Sequence, residues 1–134
     1  MARRTREPRW LGRVVVDAIH ADQLHAHGGL PGVRDENALE SALARARQKW
    51  VYAEERDVAI LAAAYGFGLV RNHPYRDGNK RIGFLAIATF LGINGHELFA
   101  NDAEVVTTML ALAAGHIGED DLARSIRAWM TSSK

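Results

Sequence analysis

The stretch Arg81-Ile-Gly-Phe-Leu-Ala-Ile-Ala-Thr-Phe-Leu-Gly-Ile93 decides the fold. After its first residue it carries no charge. Wound as a helix, it is apolar on nearly every side, so other elements must enclose it. Asn94-Gly95 then gives a helix stop. The sequence on either side supplies the enclosing partners.

Upstream, Asp57 opens a helix whose Val58, Leu61, Ala62, Tyr65 and Leu69 form one stripe, ending at Arg71 or Asn72. Before it, Asp35 caps a helix running to Arg47, with Ala38, Leu39, Ala42, Leu43 and Ala46 on one face. Lys49 to Glu55 reads as a connector holding Trp50 and Tyr52. Residues 14–27 form the first helix, stopped by Gly28-Gly29, although three consecutive valines weaken its start. Downstream, Asn101 with Glu104 opens a fifth helix that Gly115 closes, and Asp120 or Asp121 starts a last one through Trp129. Period-two alternation never reaches strand length, and only Val14–Val16 and His96–Phe99 could form short strands. The class is all-α: a compact bundle of about six helices around residues 81–93 as the buried central helix.

Length and composition agree with one domain. The chain has 134 residues, 48% of them apolar and 25% charged, which excludes wholesale disorder. It has no cysteine, so a disulfide scaffold, a thiolate metal site and a Cys nucleophile are all excluded. No apolar run is long enough for a membrane span, and Arg13, Asp17 and His20 interrupt any signal-peptide core. A soluble, cytoplasmic protein is expected. The net charge of +1 hides an asymmetry: residues 1–13 carry +4 and the remainder −3. We read residues 1–13 as a basic flexible arm and 14–134 as the domain. The arm is either a solvated tail or a contact to nucleic acid or an acidic partner.

The chemistry is concentrated in His73-Pro-Tyr-Arg-Asp77-Gly-Asn79-Lys80-Arg81, just before the apolar helix. A buried helix start leaves its first N–H groups unpaired, and with the helix dipole they suit an anion. Gly78 lets a ligand approach closely. Lys80 and Arg81 add positive charge, so a phosphate is the expected guest. Asp77 would repel bare phosphate, and its presence makes sense if it holds a divalent cation bound to that phosphate. His73 can exchange a proton near neutrality and is placed to deprotonate an attacking hydroxyl.

This string resembles the Fic-domain signature His-Pro-Phe-x-Asp/Glu-Gly-Asn-Gly/Lys-Arg, and it is most similar to the death-on-curing (Doc) toxin branch. Softer similarity extends over about residues 14–129, including Ile19-His20, Gly28-Gly-Leu-Pro-Gly-Val-Arg34-Asp35, Leu39-Glu-Ser-Ala-Leu43 and Ala62-Ala-Ala-Tyr-Gly-Phe-Gly. The resemblance implies a Fic fold and transfer of a phosphate-containing group from ATP to a protein hydroxyl. It makes His73 the general base and Asp77 the Mg²⁺ ligand. Gly78 and Asn79 would line an anion hole, with Lys80, Arg81 and Arg71 on ATP phosphates. Leu30, Pro31, Gly32, Val33 and Arg34 would form a flap, expected as a short hairpin, that docks the target as an added strand.

Two departures bear on the reaction. Typical Fic enzymes carry a second Arg where this chain has Phe84, and a Gly where it has Lys80. Similar changes in the Doc branch go with transfer of the γ-phosphate. The resemblance therefore implies a protein kinase toxin acting on elongation factor Tu and arresting translation, with AMP transfer as the alternative. A third reading is a catalytically silent module whose arm binds nucleic acid, and the intact signature argues against it. Fic enzymes are held inactive by a Ser/Thr-x-x-x-Glu-Gly/Asn helix. The one Glu-Asn here, Glu36-Asn37, has Gly32 at the hydroxyl position, so inhibition is expected from a separate antitoxin chain. Among the six histidines no His-Glu-x-x-His metal motif occurs; the resemblance hints that His20 could face the active site, but it reads first as an ordinary partly buried residue.

Overall fold

A computed structural model describes residues 6–131. Six helices follow in chain order: α1 (Arg13–His27), α2 (Glu36–Tyr52), α3 (Val58–Asn72), α4 (Asn79–Ile93), α5 (Asp102–Ala113) and α6 (Glu119–Met130). The all-α expectation holds. Several starts use the caps read from the sequence. Asp35 Oδ1 accepts from Ala38 N at 3.0 Å, Asp57 Oδ1 from Ala59 N at 2.9 Å, and Asn101 Oδ1 from Glu104 N at 2.8 Å. Each satisfies a donor that a helix start leaves open.

The central helix is α3 rather than α4. Ten residues of α3 are buried against seven of α4, and α3 packs on α2, α4, α5 and α6. Its Ala62, Ala63, Ala64, Gly66 and Gly68 let neighbours approach from several sides. On α4, Phe84, Leu85, Ala88 and Thr89 remain half-exposed despite their apolar character. The α3–α4 crossing is close. A Cβ at Gly83 would lie 2.6 Å from Val70 Cγ2 and 3.3 Å from the Gly66 carbonyl oxygen.

Other expectations need correction. The connector at 49–52 is helical, because α2 continues to Tyr52. That extension brings Trp50 to Trp10, ring centroids 6.1 Å apart and edge-on, while the Arg56 guanidinium lies 3.8 Å from the Trp50 ring centre. Val14–Val16 lies in α1, and His96–Phe99 forms no strand.

The arm ends earlier than expected. Its first five residues lie outside the described residues, but Trp10 to Arg13 belong to the packed domain. Trp10 stacks on Phe90 at 5.9 Å, and Leu11 is buried with its N–H donating to Tyr65 Oη at 2.9 Å. Asn94 fastens Arg9 at both main-chain groups: Oδ1 accepts from Arg9 N at 2.8 Å, and Nδ2 donates to Arg9 O at 3.0 Å. Arg13 opens α1 and pairs with Asp17, Glu36 and Glu40.

Candidate functional site

The end of α3, the loop 73–78 and the first turn of α4 enclose a cleft of about 450 Å³. Arg71, His73, Asp77, Gly78, Asn79, Lys80 and Arg81 line it, with Val70 and Ala113 as apolar walls. The structure thus brings together the residues expected to act on a phosphate. Lys80 and Arg81 are exposed on the first turn of α4, and Gly78 caps that helix with φ 76, a left-handed value natural for glycine. Helical hydrogen bonding begins with Ile82 N donating to Gly78 O at 2.9 Å, so the first-turn N–H groups before it have no intrahelical acceptor. Arg71 lies over the Phe67 ring at 5.3 Å, which steers its guanidinium along the cleft wall.

Asp77 is oriented from both sides. Its Oδ1 accepts from Gly78 N at 3.0 Å and its Oδ2 from Leu30 N at 3.2 Å. The flap therefore touches the carboxylate expected to hold the cation. Gly29 lies close behind: a Cβ there would sit 2.8 Å from Leu24 Cδ2 and 3.1 Å from Asp77 Oδ2.

Asn79 lines the cleft as expected, and its side-chain amide is also engaged by the loop. Its side chain is buried and turned into the loop, with Oδ1 accepting from Tyr75 N at 3.0 Å and Nδ2 donating to Tyr75 O at 2.9 Å. The amide thus helps to hold the loop closed.

Residues 30–34 form no hairpin. The segment is tied to the signature loop through one antiparallel bridge, Val33 with Tyr75, and through Arg76 N donating to Gly32 O at 3.1 Å. Leu30, Pro31 and Gly32 are exposed, and Val33 is half-buried. The exposed Arg34 side chain reaches the end of α3.

Sequence reasoning missed a support beneath the loop. His20 is buried, stacks on Tyr75 with ring centroids 3.7 Å apart, and shares a 2.8 Å hydrogen bond with the Asp77 carbonyl oxygen. Tyr75 Oη donates to Asp17 Oδ1 at 2.6 Å, and Asp17 Oδ2 accepts from Arg13 Nε at 2.8 Å. Burial, and then the hydrogen bond to Asp17, push the Tyr75 phenol well above its usual range, so it remains a donor. Glu36 and Glu40 hold the Arg13 guanidinium firmly charged. Asp17 and His20 lie more than fifty positions from Tyr75 in the chain. Their spacing of three puts both on one helical face, and the resemblance at Ile19-His20 was a further signal for His20.

Comparison with known proteins places this arrangement. Residues 10–91 match the Fic/DOC family. The chain belongs to that family. It is 29% identical over 110 residues to the protein kinase doc of Escherichia phage P1, covering 82% of this chain and 86% of that one. It is 44% identical over 78 residues to the toxin Doc of Mycolicibacterium smegmatis, covering 57% of this chain and 59% of that one. The family match takes in α1 to α4 almost entirely, and so every residue of the cleft except Ala113. No helix among the described residues is long and apolar enough to cross a membrane.

Proposed function

We propose that the chain is the toxin of a toxin–antitoxin pair, a Mg²⁺-dependent protein kinase that transfers the γ-phosphate of ATP to a hydroxyl of elongation factor Tu in the cytoplasm. The observation that carries this reading is the gathering of His73, Asp77 and the open start of α4 around one cleft. The phage P1 relative's name as a protein kinase supports the same reaction.

The residues suit a Mg²⁺ that arrives with the nucleotide. Each Asp77 oxygen accepts one N–H and keeps a lone pair to offer, and nucleotide-bound Mg²⁺ commonly takes only one or two carboxylates. Bound there, the ion would neutralise phosphate charge. The chain's own groups do the rest. Unpaired N–H groups at the α4 start, with Lys80 and Arg81, hold the transferring phosphoryl group where negative charge is spread over its oxygens. His73 accepts the proton as the target's hydroxyl oxygen forms its bond to phosphorus. The bond to the bridging oxygen of ADP breaks in the same transfer.

Phosphate transfer is favoured over AMP transfer by α4 itself. Where a second arginine would clamp distal phosphates, Phe84 packs edge-on to Trp129 at 6.3 Å. The test is incubation with ATP, Mg²⁺ and cell extract, followed by intact-mass analysis of the modified protein. A gain of one phosphate is expected, and a gain of a whole AMP would overturn the kinase reading. His73→Ala should abolish transfer, and label that persists would remove His73 from the mechanism.

A further inference from the structure

The turn that presents His73 is built in an unusual way. His73 has φ 51 and ψ 53, a left-handed conformation that closes helices but is ordinarily taken by glycine. In the common closing motif, main-chain N–H groups after the helix reach back to the last carbonyls. Here the next residue is Pro74, which has no N–H to give. The carbonyls at the end of α3 need another donor.

Arg34 supplies it from the flap segment. Its Nε donates to His73 O at 2.8 Å and its Nη2 to Asn72 O at 3.0 Å. Its main-chain N–H donates to Pro74 O at 2.7 Å, joined by Asp35 N at 3.1 Å. Three consecutive carbonyls are thus held by Arg34 and its neighbour. The planar guanidinium offers two donors in a fixed fork, which a lysine cannot reproduce.

We infer that Arg34 is a positioning residue: its fork splints the left-handed turn at His73 and thereby aims the imidazole into the cleft. This deepens the proposed function, because it rests on reading His73 as the proton acceptor. It also gives Arg34 a different task from docking a target. The splint belongs to the flap, so the segment expected to meet the substrate is mechanically joined to the group that deprotonates it.

The test uses the full chain with Arg34→Ala and Arg34→Lys. NMR supplies a readout independent of activity: the Cα and Cβ shifts of His73, with its HN–Hα coupling, report its backbone conformation. In both variants these should leave left-handed values. At saturating protein target, kcat should fall about 10- to 100-fold, the scale of a small misplacement of a reacting group. The KM for ATP should stay within about twofold, since such a change leaves ground-state binding intact. Methylguanidine should restore part of the Arg34→Ala rate, whereas methylammonium should not. Retention of the left-handed conformation in the better-folded variant overturns the inference. So does a kcat within about twofold of the parent. If the parent chain transfers no phosphate, the proposed function fails, and the NMR comparison still decides whether Arg34 splints the turn.

Discussion

Replacing Asn79 tests whether the signature loop is held shut from inside. In Asn79→Ala, Tyr75 loses the partners of both its N–H and its C=O, bonds of 3.0 and 2.9 Å in a buried setting. A buried polar group left unpaired costs about 1–3 kcal/mol. Alanine's better helix propensity returns about 0.5 kcal/mol. The net loss is about 1.5–5.5 kcal/mol, a large share of the roughly 5–15 kcal/mol that holds a domain folded. Asn79→Asp separates the two bonds. The carboxylate keeps the acceptor for Tyr75 N but sets an oxygen anion against Tyr75 O. Proximity to the helix start returns only about 0.3–1 kcal/mol.

Protonation of the introduced carboxylate would restore the missing donor, so burial and the facing carbonyl raise its folded-state pKa above the unfolded value of about 3.9. A group raised in the folded state stabilises fully below its unfolded pKa and loses that contribution as pH rises through the folded one. Asn79→Asp should therefore approach the parent's stability near pH 4 and fall away towards pH 7, while Asn79→Ala should show no such trend relative to the parent. Urea unfolding at several pH values, compared at constant m, measures this. The reasoning is refuted if Asn79→Ala costs under about 1 kcal/mol, or if the gap between the two variants is flat with pH.

Alkaline pH should destabilise the fold through Tyr65, whose phenol burial pushes up from 10.0 to about 12, with the Leu11 N–H opposing. Stability present below pH 10 is lost as pH rises towards 12, by about 2–3 kcal/mol at most, and Tyr65→Phe should remove that slope in urea titrations. Gly83→Ala should destabilise by about 1–2 kcal/mol, since overpacking against Val70 exceeds the helix gain. Adding Val70→Ala should cost less than the sum of the single changes in a double-mutant cycle. Gly29→Ala should depress phosphate transfer, because Gly29 has φ 127 and its new methyl would press on the Asp77 carboxylate; unchanged kinetics would contradict this.

Features encoded by neighbouring residues were legible in the sequence. Asp57 and Asn101 announced their helices through local caps, and the candidate cleft followed from a polar, glycine-bearing loop set before an apolar helix. Features that depend on distant partners were hidden. The rank of α3 over α4 comes from small residues that only packing reveals as contact surfaces. The continuation of α2 through Trp50 and Tyr52 depends on Trp10, forty positions earlier. The place of Asn79 in the cleft lining was legible, but its bonds to the buried main chain of Tyr75 show only in the fold. Arg34 looked like part of a docking surface, yet Pro74 leaves carbonyls that draw its fork to the end of α3.

The clasp between Arg9 and Asn94 sets an order of events during synthesis. The first part of the domain to leave the ribosome cannot be seated until 85 further residues have followed it. Until then Trp10 has no Phe90 to cover, and α1 lacks its anchored start. A nascent chain halted just past Arg81 would hold all of the signature's side chains without the Phe90 and Asn94 that seat Arg9 and Trp10. Completion of the catalytic domain is thus tied to a late stage of translation, the process this protein is proposed to stop.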